Sequence, residues 1–301
     1  MPDFEYKIWS EKMSIINAKT EVCGLIGNPV GHSISPLIHN TISEKMNINL
    51  SYVTFRVDND KVMDAVKGAY ALNIKGLNVT VPHKQAAAEC VVDIDQLARA
   101  IGAVNTLVRV ENGFKGYNTD YIGLKRQLEE DGVAIYGEEI IIIGAGGAAR
   151  AVVFMCANEG AKKIYLLNRS LDNAKKLADD VNSYVEKDVV VPMELADYVK
   201  LEKKKYNVIQ TTSKGMYPDV DGVPIEDEEF YDLIKNAVDI IFNPGQTSFM
   251  KRAAMHGAKV YNGLRMLLYQ GVASYELWNN VKVSDEHIKE VYELMKREMV
   301  Q

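Results

Sequence analysis

Cysteine is scarce. Cys23, Cys90 and Cys156 are the only three in 301 residues. The number is odd and the spacing matches no metal motif, so neither a disulfide framework nor a cysteine metal site is expected, and the usage fits a reducing cytoplasm. Cys23 and Cys156 sit in apolar strand and helix patterns and read as buried hydrophobes. Positive charge is not in excess either. Lys and Arg total 35 against 41 Asp and Glu, a net charge of −6 that argues against a broad nucleic-acid footprint. No apolar run approaches the ~18 residues of a membrane span. The opening residues carry Asp3, Glu5 and Glu11 and no apolar core, so no signal peptide is expected. Internal repeats and low-complexity tracts are absent. A metal, a nucleic acid and a membrane are therefore not among the expected partners.

The length exceeds what one hydrophobic core usually serves, so two domains are expected. The most informative stretch is Glu139 to Arg150. Ile140, Ile141, Ile142 and Ile143 form a β-branched run suited to a central parallel strand buried on both faces. Gly144, Ala145, Gly146, Gly147 and Ala148 follow, and a helical pattern extends from Ala148 to about Asn158. Strand, glycine turn and helix is the context of the dinucleotide fingerprint. Gly144 permits the tight turn, Gly146 lets backbone approach a pyrophosphate, and Ala149 takes the third small position where helix meets strand. The pyrophosphate would sit on the free N–H groups of the helix start. A second strand, Lys163 to Arg169, follows at the right distance, and the ribose-reading position lies near its end. Strand ends near 144, 169 and 212 would share one edge, with Val238–Gly245 as a further strand of the same kind.

Ahead of this unit, residues 1–20 read as a polar lead-in, with Trp9 as a packing anchor. Val22–Gly27 is a short strand, followed by a loop punctuated by Pro29 and Gly31. Ser35 before Pro36 looks like an N-cap with proline at N1. Ser33 and Ser35 thus lie at a helix start, a ready carboxylate or phosphate site, or simply a cap without ligand. Residues 50–57 form a strand, 60–71 a helix, and Gly76 onward a third strand ending at Pro82. Asn78 and Thr80 share one of its faces, with Lys84 beyond the turn. Residues 85–98 read as helix. Ala103–Val110 and Phe114–Asp120 flank the Asn112-Gly113 hairpin signal. Asn105 and Asp120 lie at opposite ends of that hairpin's sequence; Asp120 has the alternative of capping the helix after it.

In order, Ser33-Ile34-Ser35-Pro36, Asn78 to Lys84, Gly102 to Thr106, Gly116 to Asp120, Gly144 to Ala148, Asn262-Gly263-Leu264 and Tyr269-Gln270-Gly271 make a joint set. In that set the chain resembles the shikimate dehydrogenase family, with its quinate/shikimate relatives, over about residues 22–298. The resemblance implies an α/β fold of two domains. A split substrate domain, residues 1–122 plus 263–301, would surround a Rossmann-like domain, residues 123–262, with the active site in the cleft between them. It implies reversible reduction of 3-dehydroshikimate to shikimate by NADPH, with NAD as the alternative cofactor, in a monomer or homodimer. Lys84 and Asp120 would be the catalytic pair. Ser33 and Ser35 would hold the substrate carboxylate, and Thr80, Asn105 and Gln270 the ring hydroxyls. Gly144, Ala145, Gly146, Gly147 and Ala148 would hold the pyrophosphate. Asn168, Arg169 and Ser170 would surround the adenosine ribose, and Met216, Gly263 and Met266 would line the nicotinamide pocket.

The chemistry agrees with these roles. Hydride addition to a ketone leaves negative charge on oxygen, which an ammonium stabilises and protonates. The second strand ends in Asn168, Arg169 and Ser170, without the carboxylate that accepts from a ribose 2′-OH in NAD-selective domains. Arg169 can instead fork onto a 2′-phosphate. Phe242 stands where the family usually has tyrosine, Gln210-Thr211-Thr212 replaces Asn-Ala-Thr, and Arg265 replaces a common glycine. These departures bear on substrate range and cofactor affinity rather than reaction class. Two other readings remain: a quinate/shikimate dehydrogenase preferring NAD, and a non-catalytic nucleotide-binding regulator on the same fold.

Overall fold

A computed structural model describes residues 16–299. Trp9 and most of the polar lead-in lie outside the described residues. The first half runs β1 (Glu21–Gly27), α1 (Ser35–Lys45), β2 (Leu50–Arg56), α2 (Val62–Ala71), β3 (Gly76–Val79), α3 (Lys84–Ala88), β4 (Asp93–Ile94), α4 (Gln96–Ile101), β5 (Thr106–Val110), β6 (Gly113–Tyr117) and α5 (Thr119–Asp131). The second runs β7 (Glu139–Ile143), α6 (Gly147–Asn158), β8 (Lys163–Asn168), α7 (Leu171–Val185), β9 (Val190–Glu194), β10 (Tyr206–Gln210), α8 (Glu228–Tyr231), β11 (Ile234–Asp239), α9 (Ser248–Met255) and β12 (Lys259–Tyr261). Helices α10 (Leu264–Asn279) and α11 (Asp285–Glu298) follow.

Among the described residues there are two six-stranded sheets. The second is parallel throughout, in the order β9-β8-β7-β10-β11-β12. That is the doubly wound arrangement, with its topological switch between β7 and β10. The isoleucine run explains why β7 is central. Ile140 and Ile142 face the core under α6 and α7, Ile141 and Ile143 the core under α9, and all four are fully buried. The first sheet is mixed, in the order β2-β1-β3-β5-β6-β4. On one face Cys23 and Leu25 pack under α1, α10 and α11; on the other Ile26, Leu77 and Val79 pack under α2. The C-terminal helices thus return to the first sheet.

The link between the sheets is helical. The expected boundary at residues 122 and 123 falls inside α5, a continuous helix. It packs closely on α10 because position 123 is glycine: a Cβ there would come within 2.6 Å of the Met266 carbonyl oxygen and 2.9 Å of the Gln270 Cβ.

Several local expectations need correcting. The 85–98 helix is two helices separated by β4, because Val92 and Asp95 donate their N–H groups to Phe114 and Gly116 of β6, and Asp95 then caps α4 at Leu97 N–H. The strand expected at Val238–Gly245 is β11, which ends at Asp239. There the Asp239 carboxylate accepts from Ile241 N–H at 3.0 Å and turns the chain. Its beginning was hidden by Asn236, whose amide donates to Asn207 of β10 at 2.7 Å and so is buried without penalty. Strand β3 stops at Val79, before Pro82. Ser35 is the first residue inside α1, not its cap; Ile34 holds that position and makes no side-chain cap bond. Asp120 does not cap α5 either, since the Asn118 side chain accepts from Asp120 N–H and Tyr121 N–H.

Candidate active site

Strands β1 and β3 are parallel neighbours, so the loops that leave them lie side by side: Thr80 N–H donates to Ile26 at 3.0 Å and Asn28 N–H to Val81 at 3.2 Å. This joins the Ser33–Ser35 turn to the loop that leads into Lys84. Ser33 Oγ accepts from Ser35 N–H at 3.2 Å and lies 3.1 Å from Ser35 Oγ, so the two hydroxyls are adjacent at the start of α1. Lys84 opens α3, and its Nζ contacts Oδ2 of Asp120 in the first turn of α5. The lysine side chain is 25% exposed and the aspartate 13%, so the pair is sheltered yet reachable.

Asp120 is held by Asn105, whose Nδ2 donates to Asp120 Oδ1 at 2.9 Å. The Asn105 oxygen accepts from Thr119 N–H at 2.7 Å and from the Thr106 and Thr119 hydroxyls at 3.1 and 3.2 Å. Behind it lies a polar cluster that the sequence reading missed. Ser274 of α10 is 2.8 Å from Thr106 Oγ1, accepts from Asn78 Nδ2 at 2.8 Å, and donates to the Gln270 carbonyl at 2.9 Å. Asn78 in turn accepts from the Tyr52 hydroxyl at 2.8 Å. Thr106, Thr119 and Ser274 are fully buried. The signal available was a serine one helical turn after Gln270, which by itself has no local meaning. Gln270 lies half-buried on α10, its Nε2 on the Leu267 carbonyl at 2.8 Å. His83 is structural: its ring is buried and bonds the Val57 carbonyl at 2.7 Å. His39 stacks on Tyr52 at 4.1 Å, and burial lowers its pKa to about 3, so it stays neutral there.

The second part of the site is a cavity of about 530 Å³ at the carboxyl ends of β7, β8 and β10. Gly144, Ala145, Gly146, Asn168, Arg169 and Ser170 line it together with Thr211 to Lys214. Gly144 has a φ of +110°, the left-handed region that glycine tolerates. Side chains at Gly146 and Gly147 would project into open space, and no side chain caps α6. The helix start therefore offers unblocked N–H donors and room beside them, which is what a dinucleotide pyrophosphate requires. Ala149 is fully buried against the sheet. Arg169 is exposed and has no ion-pair partner among the described residues. Ser170 instead caps α7, its Oγ 3.5 Å from Asn173 N.

Five expected cofactor residues are not in this lining, and the first, Gly147, is exposed at the start of α6. Ala148 is half-buried in α6, and Met216 is exposed in the loop after β10. Gly263 is buried so tightly that a Cβ would lie 2.0 Å from the Ile240 carbonyl oxygen. Met266 packs into the core under α6. Conversely, Thr211, Thr212, Ser213 and Lys214 were missed as lining residues, although a strand end at this edge signalled them.

Family models agree with this layout. One for the shikimate dehydrogenase substrate binding domain matches residues 25–107, one for shikimate / quinate 5-dehydrogenase matches 126–213, and one for the shikimate 5′-dehydrogenase C-terminal domain matches 263–291. The chain is 43% identical over 265 residues to the shikimate dehydrogenase (NADP(+)) of Desulforamulus reducens, across 87% of this chain and 91% of that one. The chain belongs to the shikimate dehydrogenase family. A chorismate mutase/shikimate 5-dehydrogenase fusion protein from Clostridium acetobutylicum superposes with a TM-score of 0.84 at 36% identity, covering 94% of this chain and 99% of that one. A shikimate 5-dehydrogenase from Listeria monocytogenes, in complex with shikimate and NAD, gives 0.82 at 30% identity, covering 92% and 97%.

The three departures from the shikimate dehydrogenase pattern all have structural partners. Phe242 packs against the core that contains Leu264 and Leu268. Gln210 is fully buried, its Nε2 on the Thr212 and Lys214 carbonyls at 3.2 and 3.1 Å. Arg265 pairs with Asp131 at 2.7 Å and Glu130 at 3.3 Å, tying α10 to the end of α5. No helix among the described residues is long and apolar enough to cross a membrane.

Proposed function

We propose that this chain catalyses the reversible reduction of 3-dehydroshikimate to shikimate with NADPH, the shikimate-forming step of aromatic biosynthesis. The observation that carries the reading is the contact of Lys84 with Asp120, on the sheet edge where the carboxylate-binding serines and the link to the dinucleotide domain converge. When bound, the nicotinamide supplies a hydride to the ketone carbon. Lys84 gives its Nζ proton to the ketone oxygen as the C–H bond forms, and Asp120 orients and balances that ammonium. In the reverse direction Lys84, neutral, accepts the hydroxyl proton. Ser33 and Ser35 hold the carboxylate; Thr80, Asn105 and Gln270 take the ring hydroxyls. Gly144 to Ala148 hold the pyrophosphate, Asn168, Arg169 and Ser170 the adenosine ribose with its 2′-phosphate, and Met216, Gly263 and Met266 border the nicotinamide.

The domain division proposed is 1–122 plus 263–301 around 123–262, joined where α5 runs on between the sheets. A cytoplasmic location is proposed from the three free cysteines. A spectrophotometric assay of reduced-cofactor formation, NADPH or NADH, tests the reading, with shikimate or quinate and NADP or NAD in all four pairings. Turnover is expected to be fastest with shikimate and NADP. Faster turnover of quinate with NAD would replace this reading by the quinate one, and no turnover in any pairing would favour a regulator.

A further inference from the structure

We infer that Arg150 is a positioning residue that couples the dinucleotide loop to the Lys84–Asp120 pair. The inference rests on the reading of the site as one for shikimate and NADPH. Arg150 lies in the first turn of α6, and its own N–H closes that turn on the Gly146 carbonyl at 3.2 Å. Its side chain does not enter the dinucleotide cavity. It crosses to the other half of the molecule, where Nε donates to the Ile101 carbonyl at the end of α4. That carbonyl belongs to the helix's unsatisfied, electronegative end, where a cation is favoured. Gly102 caps α4 with a φ of +73°, and the guanidinium lies over it, 3.5 Å from where a Cβ would be. Asp180 of α7 fixes the outer edge, accepting from the guanidinium at 2.8 Å.

The segment beyond Ile101 gives this tie its consequence. Val104 N–H donates to the Lys84 carbonyl at 3.1 Å, and Asn105 Nδ2 donates to Asp120. The Ala103 carbonyl accepts from Asn118, the cap of the helix that carries Asp120, at 3.1 Å. Five consecutive residues, 101 to 105, thus connect one guanidinium to both members of the catalytic pair. A pyrophosphate seated on the α6 start fixes Gly146 and Arg150, and through Ile101 favours one arrangement of this segment. By reciprocity, a substrate held by that arrangement tightens the cofactor by the same factor.

The test measures shikimate affinity with and without NADPH; both are reduced and cannot react with each other. The same measurement is made on Arg150→Met, Arg150→Lys and Asp180→Asn, with thermal unfolding and far-UV dichroism to confirm folding. In the wild-type protein NADPH should tighten shikimate within the ordinary coupling range of about 5- to 150-fold. Arg150→Met should bring the ratio close to unity while NADPH alone binds with nearly wild-type affinity. Arg150→Lys, which can still reach the Ile101 carbonyl with one donor, should restore part of the ratio, and Asp180→Asn should lower it less than Arg150→Met does. A second readout needs no substrate: NADPH alone should slow amide hydrogen exchange across residues 101–106 in the wild-type protein and not in Arg150→Met. An unchanged ratio in folded Arg150→Met, or equal weakening of both ligands at constant ratio, overturns the inference and leaves Arg150 a purely structural tie. If the wild-type protein neither binds nor oxidises shikimate, the substrate reading fails. The exchange measurement then decides the role of Arg150 by itself, and unaltered exchange in the wild-type protein, or equal slowing in the variant, refutes it.

Discussion

Asn105 and Asp120 are 15 residues apart in the chain and joined by a 2.9 Å hydrogen bond. They precede and follow the same antiparallel hairpin, so opposite ends of the segment arrive at one edge. The three donors on the Asn105 oxygen fix its amide, leaving Nδ2 aimed at the carboxylate. Asp120 therefore meets Lys84 in a geometry set by the sheet, before any substrate arrives.

Lys84→Met should remove most of the turnover with the fold intact, because among the described residues the lysine side chain bonds only Asp120 and joins no hydrophobic core. The expected fall in kcat is about 10²–10⁴-fold, the usual share of general acid–base catalysis. Steady-state kinetics on a variant with wild-type dichroism checks this, and an unchanged kcat would remove Lys84 from the mechanism.

Ser33→Ala combined with Ser35→Ala should act mainly on KM for shikimate. A hydrogen bond to a charged group contributes about 1.5–3 kcal/mol, or roughly 10- to 100-fold in affinity. The carboxylate does not change during the reaction, so the loss should be shared by ground and transition states. A fall in kcat at normal KM would instead put these hydroxyls beside the hydride.

Arg169→Ala should lower kcat/KM with NADP by roughly 10- to 100-fold and with NAD very little, the range of a charge-assisted bond to phosphate. The guanidinium is exposed at the cavity and has no other ion-pair partner among the described residues. Equal losses with both cofactors would assign it to adenine or to the sheet edge.

Asp239 gives a pH dependence of stability. It is fully buried, and burial raises its pKa from 3.8 to about 6 against the lowering effect of its bonds from Thr247, Ile241 and Gln210. Between those values the unfolded chain has released a proton that the folded chain still holds. Stability from this residue is therefore present at low pH and falls as pH rises through the window, by about 3 kcal/mol. Asp239→Asn removes the titration. Subtracting the variant's Tm-versus-pH curve from that of the wild type should leave a decline between pH 4 and 6, and a flat difference would mean that the carboxylate ionises freely.

What the sequence determined by itself was whatever depends on neighbours a few residues away. The isoleucine run, the glycine turn and the helix after it fixed β7, α6 and the cofactor edge, because strand burial and backbone conformation follow from local side-chain type. The Asn112-Gly113 signal announced the hairpin, although the two turn residues are Glu111 and Asn112 and Gly113 opens β6. Local rules failed where a side chain substituted for them: Asp95 broke a helical stretch, and Asp239 stopped a strand inside an apolar run. Only the tertiary structure decided how the site is held. Ser274 reaches Thr106 across 168 residues and Asn78 across 196, and Arg150 reaches Ile101 across 49. Such bonds exist because α10 folds back onto the first sheet and α6 abuts α4. Their energy comes from satisfying groups that packing has already removed from water, so no periodicity in the chain announces them.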